Sequence, residues 1–184
     1  HHIRLMMIPK IDLRNYFGIK KLLINSDTLN ARQKALFLSL MQGLSSCKKI
    51  LSFASFGDEI DMWEVNFALA KAEKLFLPRF EGTTLAVYQV SEIAEDLMQS
   101  EWGILEPNPS RCPKADIHEM DCALIPGIGF DKNKMRLGRG LGHYDRLLAN
   151  FKGQKWGIGF KEQHLDCAFP VEPHDVAMDS LYHF

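Results

Sequence analysis

Short apolar runs that alternate with helical patterns constrain the fold of this chain more than any other feature. Runs typical of buried strands occur at residues 49–54, 74–77, 83–90, 121–125 and 156–160. Residues 29–42 and 61–71 carry apolar side chains at helical spacing. Strands separated by helices in this way predict an α/β fold: a single three-layer domain with a mixed, mostly parallel sheet flanked by helices.

The segments outside these runs complete the predicted organisation. We expect a helix from about residue 10 to residue 25 and a second helix over residues 29–42, with Asp27 as its N-cap. Residues 144–151 have helical spacing as well, and residues 102–114, which contain three prolines, read as a loop within the domain.

Length and composition set the protein class. The 184 residues fit one domain, residues 1–184, and the leading His1 and His2 resemble a tag, so residues 1–5 are expected to be tag or disordered. The net charge of −1 gives no strongly basic face, so we expect no nucleic acid partner. Apolar runs shorter than about 20 residues, with no signal-peptide segment, predict no membrane partner. We expect a cytoplasmic monomer whose four cysteines are reduced.

The most informative stretch is rich in glycine and follows a predicted strand. It reads P-G-I-G-F-D over residues 126–131 and R-L-G-R-G-L-G-H-Y-D over residues 136–145. Alternating glycines let backbone N–H groups converge on an anion, and the following helix adds a partial positive charge. The pattern is neither a Walker loop nor a dinucleotide fingerprint. From these residues alone, a phosphate site and an ordinary glycine-rich turn both stay open.

The same residues closely resemble the signature of the 5-formyltetrahydrofolate cyclo-ligase, or methenyltetrahydrofolate synthetase, family. Further similar segments follow the family's order: F-G-D-E-I-D at 56–61, L-P-R-F at 77–80, W-G-I-L-E-P at 102–107, F-K-E-Q at 160–163, and residues 170–179. The resemblance implies conversion of 5-formyltetrahydrofolate to 5,10-methenyltetrahydrofolate. It also implies ATP as a substrate and Mg²⁺ as a cofactor, with phosphorylation of the formyl oxygen and release of ADP and phosphate.

The resemblance assigns a set of residues to ATP and its phosphates: Lys10, Arg14, Arg136, Gly138, Arg139, Gly140, Gly142 and Tyr144. Arg139 is also expected to be catalytic, by neutralising charge on the transferring phosphoryl group. Lys10 and Arg14 are four residues apart, so a helix places them on one face. A solvated basic helix face remains the alternative for this pair.

A second set is implied for the folate: Phe56, Glu59, Trp102, His143 and Tyr144. Glu59 corresponds to a carboxylate near the reactive end of the folate and is expected to be catalytic. The aromatic side chains are expected to flank the flat pterin ring. For Phe56, a plain core position is an equally open alternative.

Asp145 and Asp175 resemble the positions that hold Mg²⁺, a cation usually bound by one or two carboxylates plus phosphate oxygens and water. The alternatives are a first-turn carboxylate favoured by the helix dipole for Asp145 and an ordinary loop residue for Asp175. His118, His164 and His174 are expected to be surface or core histidines, because no ligand spacing links them.

Two positions depart from the family pattern. Leu141 stands where many relatives carry lysine, and His143 stands where an aromatic residue, often tyrosine, precedes the Tyr-Asp pair. Two other hypotheses stay open, and these departures would support the first of them. One is a non-catalytic nucleotide- or formylfolate-binding protein of the same fold, and the other is an ATP-dependent enzyme that acts on another formyl or amide substrate.

Overall fold

The fold was analysed in a computed structural model that describes Leu13, Arg14, Phe17 and residues 24–184; the predicted site residue Lys10 lies outside them. Four helices of the described residues are α1 (Ser26–Gly43), α2 (Trp63–Lys71), α3 (Ile93–Asp96) and α4 (His143–Leu148). The strands are β1 (Ile50–Leu51), β2 (Leu75–Glu81), β3 (Thr84–Gln89), β4 (Leu97–Gln99), β5 (Leu105–Pro107), β6 (Lys114–Ala115), β7 (Cys122–Ile125), β8 (Gly129–Asp131), β9 (Arg136–Leu137), β10 (Gln154–Gly159), β11 (His164–Leu165) and β12 (Ser180–His183).

Seven strands form the main sheet, in the order β12-β10-β7-β1-β2-β3-β6. Strands β12, β10, β7, β1 and β2 run parallel to one another, whereas β3 and β6 join by antiparallel pairing at one edge. The predicted mixed, mostly parallel sheet is therefore confirmed. Such a sheet needs cover on both faces, which is why its central strands are apolar on both sides.

The core is divided into two clusters, one on each face of the main sheet, because successive side chains of a strand alternate between the faces. Ile50 of β1 packs in a cluster with Leu36 and Leu40 of α1 and with side chains of α2. The next residue, Leu51, belongs to a second cluster with Phe130 and with Leu148 of α4. Successive side chains of a strand point to opposite faces, so two helical layers enclose the sheet, as predicted.

The start of α1 differs from the prediction. Asp27 was expected to be the N-cap, but the cap is Asn25, whose side chain accepts a hydrogen bond from the Thr28 amide at 2.9 Å. Asp27 lies in the first turn instead, where a carboxylate favours the helix dipole. The preceding helix, predicted to reach residue 25, does not include Ile24 or Asn25, although Leu13, Arg14 and Phe17 are helical.

Strand β2 continues through Pro78, where the sequence predicted its end. Strand β1 pairs only with Leu75 and Phe76, so Pro78 has no β1 residue opposite it and its missing N–H leaves no gap in that ladder. The segment 102–114, predicted to be a loop, contains β5 and the first residue of β6. Within the described part of the chain, no helix is both long and apolar enough to cross a membrane.

Candidate active site

A small depression lies beyond the carboxyl ends of β1, β7 and β10. It is lined by Phe53, Glu59, Ile60, Pro126, Gly127, Ile158 and Gln163. Ligands of parallel α/β sheets bind at this edge, because the loops that follow adjacent strands meet there. The depression therefore joins two segments that the sequence singled out, the turn near Glu59 and the start of the glycine-rich stretch.

Gln163 fixes one wall of the depression. Its Nε2 donates to the carbonyl oxygens of Gly127 at 2.6 Å and Ile128 at 3.0 Å, and its Oε1 accepts from the Phe160 amide at 2.8 Å. The side chain is buried, so these bonds satisfy its polar atoms away from water. Sequence reasoning gave Gln163 no role; its only signal was a glutamine closing a segment that resembles the family.

The Glu59 turn, residues 55–62, is built from local hydrogen bonds. The Glu59 carboxylate accepts from the Phe56 amide at 2.9 Å. Ser55 Oγ donates to the carbonyl of Ile60 and accepts from the amide of Met62, both at 2.8 Å. These bonds hold Glu59 at the rim of the depression.

A buried polar pair supports this turn from below. Ser52 and Asn66 are fully buried, and the Ser52 hydroxyl donates to Asn66 Oδ1 at 2.6 Å. Asn66 Nδ2 in turn donates to the carbonyl of Phe53 at 3.0 Å. The pair joins α2 to the chain leaving β1, and a buried network of this kind specifies one backbone path.

The glycine loop, residues 136–142, depends on backbone conformations that favour glycine. Gly140 and Gly142 have φ angles of 96° and 68°, and Gly142 is the N-cap of α4. Arg14 Nε donates to the Gly138 carbonyl at 2.6 Å, and a Cβ added at Gly140 would lie 3.2 Å from Arg14 Nη2. The structure therefore brings Arg14 against the loop, and it leaves Arg139 exposed.

Arg136 has a different setting from Arg139. Its Nη1 donates to the Pro126 carbonyl at 3.0 Å, and its guanidinium lies 5.0 Å from the centre of the Tyr144 ring. Burial lowers the pKa of Arg136, while Tyr144, Asp145, Asp175 and Glu59 oppose that shift. Arginine nevertheless stays charged, so Arg136 is a fixed positive charge beneath the glycine loop.

Phe56 and Trp102 lie in one exposed environment, and Tyr144 lies in a more buried one. Phe56 is 42% exposed and Trp102 is 72% exposed, so a core position for Phe56 is not observed. A Cβ on Gly103 would lie 3.8 Å from the Phe56 ring, which places Phe56 beside the turn that carries Trp102. Burial raises the pKa of the Tyr144 hydroxyl, and Glu59 adds to that shift.

His143 packs on Phe80, with ring centres 4.8 Å apart. Burial lowers the pKa of His143, and the nearby positive charge of Arg146 lowers it further. The imidazole is therefore favoured in its neutral form near pH 7. Leu141, the second departure from the family pattern, is 66% exposed and covers no core residue.

Asp145, His174 and Asp175 form a cluster of metal-type donors. One ligand atom from each lies within 4.8 Å of those of the other two. His174 Nε2 is 3.1 Å from a Glu172 carboxylate oxygen and 3.6 Å from Asp175 Oδ1. The two carboxylates are the donors that Mg²⁺ prefers, and they agree with its expected position, whereas imidazole is more typical of transition metals.

His174 is exposed, in agreement with the prediction of a surface or core histidine, but it also lies beside Asp145 and Asp175. It was assigned to the surface or core because no repeated spacing links it to another donor. Its partner Asp145 is 29 positions away in the chain, and only the folding of residues 172–176 against α4 brings the two together. The one local signal was its position next to Asp175.

The chain resembles known proteins along most of its length. The model of the 5-formyltetrahydrofolate cyclo-ligase family matches residues 10–183. A probable 5-formyltetrahydrofolate cyclo-ligase of Schizosaccharomyces pombe is 34% identical over 64% of this chain. The 5-formyltetrahydrofolate cyclo-ligase of Mus musculus is 30% identical over 73% of this chain and 72% of its own length.

A solved structure of a related enzyme is similar to this chain as well. The 5,10-methenyltetrahydrofolate synthetase of Aquifex aeolicus is similar to this chain with a TM-score of 0.83 and 26% identity, over 95% of this chain and 89% of that one. The matched segments span 64% of the Schizosaccharomyces pombe relative and 43% of a Mycolicibacterium smegmatis relative.

Proposed function

Because the chain belongs to the 5-formyltetrahydrofolate cyclo-ligase family, we propose that it converts 5-formyltetrahydrofolate to 5,10-methenyltetrahydrofolate at the expense of ATP. The products are 5,10-methenyltetrahydrofolate, ADP and phosphate. The observation that carries the proposal is the junction of the glycine loop with the metal-type cluster. Asp145 lies in the first turn of α4, three residues after the left-handed Gly142.

The chemistry explains why a phosphoryl donor is needed. The formyl oxygen is amide-like and is a poor leaving group. Transfer of the γ-phosphoryl group breaks its bond to ADP and forms a bond to the formyl oxygen. The neighbouring folate nitrogen then attacks the formyl carbon and loses its proton, and the carbon–oxygen bond breaks to release phosphate. The protein must align two ligands and neutralise charge on the moving phosphoryl group.

We assign the phosphate end of ATP to the glycine loop and its arginines. Backbone N–H groups of residues 138–142 would face phosphate oxygens, because no Cβ stands in the way at the glycines. Arg139, exposed within the loop, would donate to the transferring phosphoryl group. Arg14, held on Gly138, would add a second positive charge at the same place. Lys10 belongs to this set by the family resemblance alone.

Asp145 and Asp175 would hold Mg²⁺, with His174 close beside them. When bound there, Mg²⁺ supplies charge neutralisation for the phosphate oxygens. The side chains are partly prepared for this task. Asp145 accepts from the Val176 amide at 3.4 Å, and Asp175 accepts from the Glu172 amide at 2.9 Å, so both carboxylates are oriented by backbone donors.

The folate would bind across the depression and the exposed aromatic residues. Glu59 lies at the rim, where its carboxylate can orient the reactive end of the folate. Phe56 and Trp102, both exposed, offer flat apolar surface to the pterin ring, and Tyr144 and His143 would close the side next to the glycine loop.

The test is formation of 5,10-methenyltetrahydrofolate, followed by absorbance, from 5-formyltetrahydrofolate with and without Mg·ATP. The proposal predicts product only when ATP and Mg²⁺ are both present. A folded protein that binds ATP and the folate without turnover would be the non-catalytic binder. A protein that binds ATP but not the folate should be assayed against other formylated pterins and amides.

A further inference from the structure

We propose that Arg146 is a positioning residue that fastens the glycine loop to the tip of the β2–β3 hairpin, and that ATP binding depends on this fastening. The inference rests on the proposed function, which assigns the loop to ATP. Sequence analysis gave Arg146 no role. Arg146 is not among the residues that line the depression, and it is not a member of the metal-type cluster.

The Arg146 guanidinium bonds to two separate segments. Its Nη1 donates to the carbonyl of Leu141 at 2.9 Å, and its Nη2 donates to the carbonyl of Thr83 at 2.8 Å. Leu141 belongs to the glycine loop, and Thr83 lies in the turn between β2 and β3. The planar guanidinium can make both bonds at once because its donors diverge in fixed directions.

A second contact joins the same two regions. His143, one turn before Arg146 in α4, packs on Phe80 near the end of β2. Residues three apart lie on one face of a helix, so α4 presents this face to the hairpin. The start of α4, and the loop that enters it, are therefore attached at two points.

Residues 136–137 of the glycine loop are held in β9, but residues 138–142 have few hydrogen bonds of this kind within the described part of the chain. Gly140 and Gly142 are in left-handed conformations, and glycine loses more conformational freedom on ordering than any other residue. Leu141 between them is exposed, so apolar packing does not fix it. Arg14 bonds to Gly138, at the other end of this segment. A loop ordered before ATP arrives costs less entropy on binding.

The hairpin is a suitable anchor because it is itself tied to its neighbours. Arg79 pairs with Glu106 at 3.1 Å and donates to the Pro107 carbonyl at 3.2 Å, which joins β2 to β5. Glu81 accepts from the Tyr88 hydroxyl and pairs with Lys114 at 3.2 Å. Arg146 thus connects residues 138–142 to a hairpin that is itself bonded to β5 and β6.

The test compares Arg146→Gln, Arg146→Lys and a control, Lys152→Gln, which changes an exposed lysine beyond the end of α4. Amide hydrogen exchange of residues 138–142 and the affinity for Mg·ATP, measured by calorimetry, report on the loop without turnover. We expect faster loop exchange and an ATP affinity weakened about tenfold in Arg146→Gln, the effect of losing hydrogen bonds to a charged donor.

The steady-state constants separate positioning from folding. In Arg146→Gln, KM for ATP should rise while KM for 5-formyltetrahydrofolate stays unchanged, and Arg146→Lys should recover part of the loss because it keeps the charge and one donor group. Lys152→Gln should match the wild type. Unchanged loop exchange and ATP affinity in Arg146→Gln would overturn the proposal. Faster exchange throughout the main sheet would overturn it as well, since the role would then be structural.

The same data distinguish this inference from the proposed function. A wild type that binds Mg·ATP but forms no methenyltetrahydrofolate would contradict the proposed function, while the exchange and affinity comparison would still support or overturn the role of Arg146. A wild type that binds no ATP would overturn both.

Discussion

The glycine loop and the Glu59 turn, which we propose serve one site, are held in different ways. The glycine loop contains left-handed glycines, and arginine side chains from outside the loop donate hydrogen bonds to its carbonyl oxygens: Arg14 to Gly138 and Arg146 to Leu141. The Glu59 turn is held from inside, by Ser55 within the turn and by the buried Ser52–Asn66 pair beneath it.

This difference suggests a division of tasks. A loop rich in glycine can present its backbone to an anion, and its arginines supply charge. A turn supported by buried hydrogen bonds is suited to holding one carboxylate at a fixed point. We therefore expect changes in the first region to act on ATP, and changes in the second to act on stability and on the folate.

The largest effect is expected from Arg139→Ala. Removing a donor that acts on developing charge should lower turnover by about 100-fold or more, with stability unchanged because Arg139 is exposed. Steady-state assays and thermal unfolding of the same sample measure both quantities. Full activity in Arg139→Ala would remove this residue from the catalytic group and weaken the assignment of the loop to phosphate.

Asn66→Ala tests whether the buried Ser52–Asn66 pair supports the Glu59 turn. The substitution leaves the Ser52 hydroxyl and the Phe53 carbonyl without partners and opens a cavity. The free energy of unfolding should fall by about 2–4 kcal/mol, measured by urea denaturation. Asn30→Ala, at an exposed position of α1, is the matched control and should change stability by less than about 0.5 kcal/mol. Equal effects of the two changes would mean that the buried pair does not support the turn.

Gly140→Ala and Gly57→Ala each place a side chain at a positive φ, one in each region, and the strain is larger at Gly140 because its φ lies outside the left-handed region that alanine can adopt. Their φ angles are 96° and 63°, and a left-handed alanine costs about 1–2 kcal/mol. A Cβ at Gly140 would also approach Arg14, whereas nothing lies within 4 Å of one at Gly57. Gly140→Ala should raise KM for ATP, and Gly57→Ala should raise KM for 5-formyltetrahydrofolate. If KM for the same substrate rose in both variants, the proposed division of tasks between the two regions would be contradicted.

The smallest effect is expected from His143→Tyr, which should retain activity. Burial and Arg146 lower the pKa of His143 below its ordinary value of 6.5. Unfolded chains then bind more protons than folded ones, so the stability contribution is complete above pH 6.5 and is lost as pH falls through the folded pKa. Thermal unfolding at pH 7.5 and pH 5.5 should show a smaller acid-side loss in the tyrosine variant. A large loss of turnover would instead reveal a specific role for His143.

The two regions also differ in how far the sequence predicts them. Glycines and apolar runs are visible in the sequence itself, so the glycine loop and the parallel sheet could be predicted from it. Ser52 and Asn66 are ordinary polar residues, and only their complete burial shows what they do. The cap at Asn25 and the continuation of β2 through Pro78 depend on neighbours that local patterns do not reveal.

Contacts between distant segments were the hardest to foresee. His174 meets Asp145 because residues 172–176 fold against α4, and Arg146 meets Thr83 because α4 lies against the hairpin. Neither contact follows from spacing along the chain. Both contacts lie near the glycine loop. Arg14 and Arg146, from different parts of the chain, bond to that loop, and Arg146 also bonds to the β2–β3 turn.

Transfer of the formyl oxygen is the most direct test that the two regions serve one reaction. 5-Formyltetrahydrofolate carrying oxygen-18 in its formyl group is turned over with Mg·ATP, and the released phosphate is analysed by mass spectrometry. Phosphorylation of the formyl oxygen predicts one labelled oxygen in each phosphate, with one ADP formed per methenyltetrahydrofolate. Unlabelled phosphate, with the label found in water, would contradict the account.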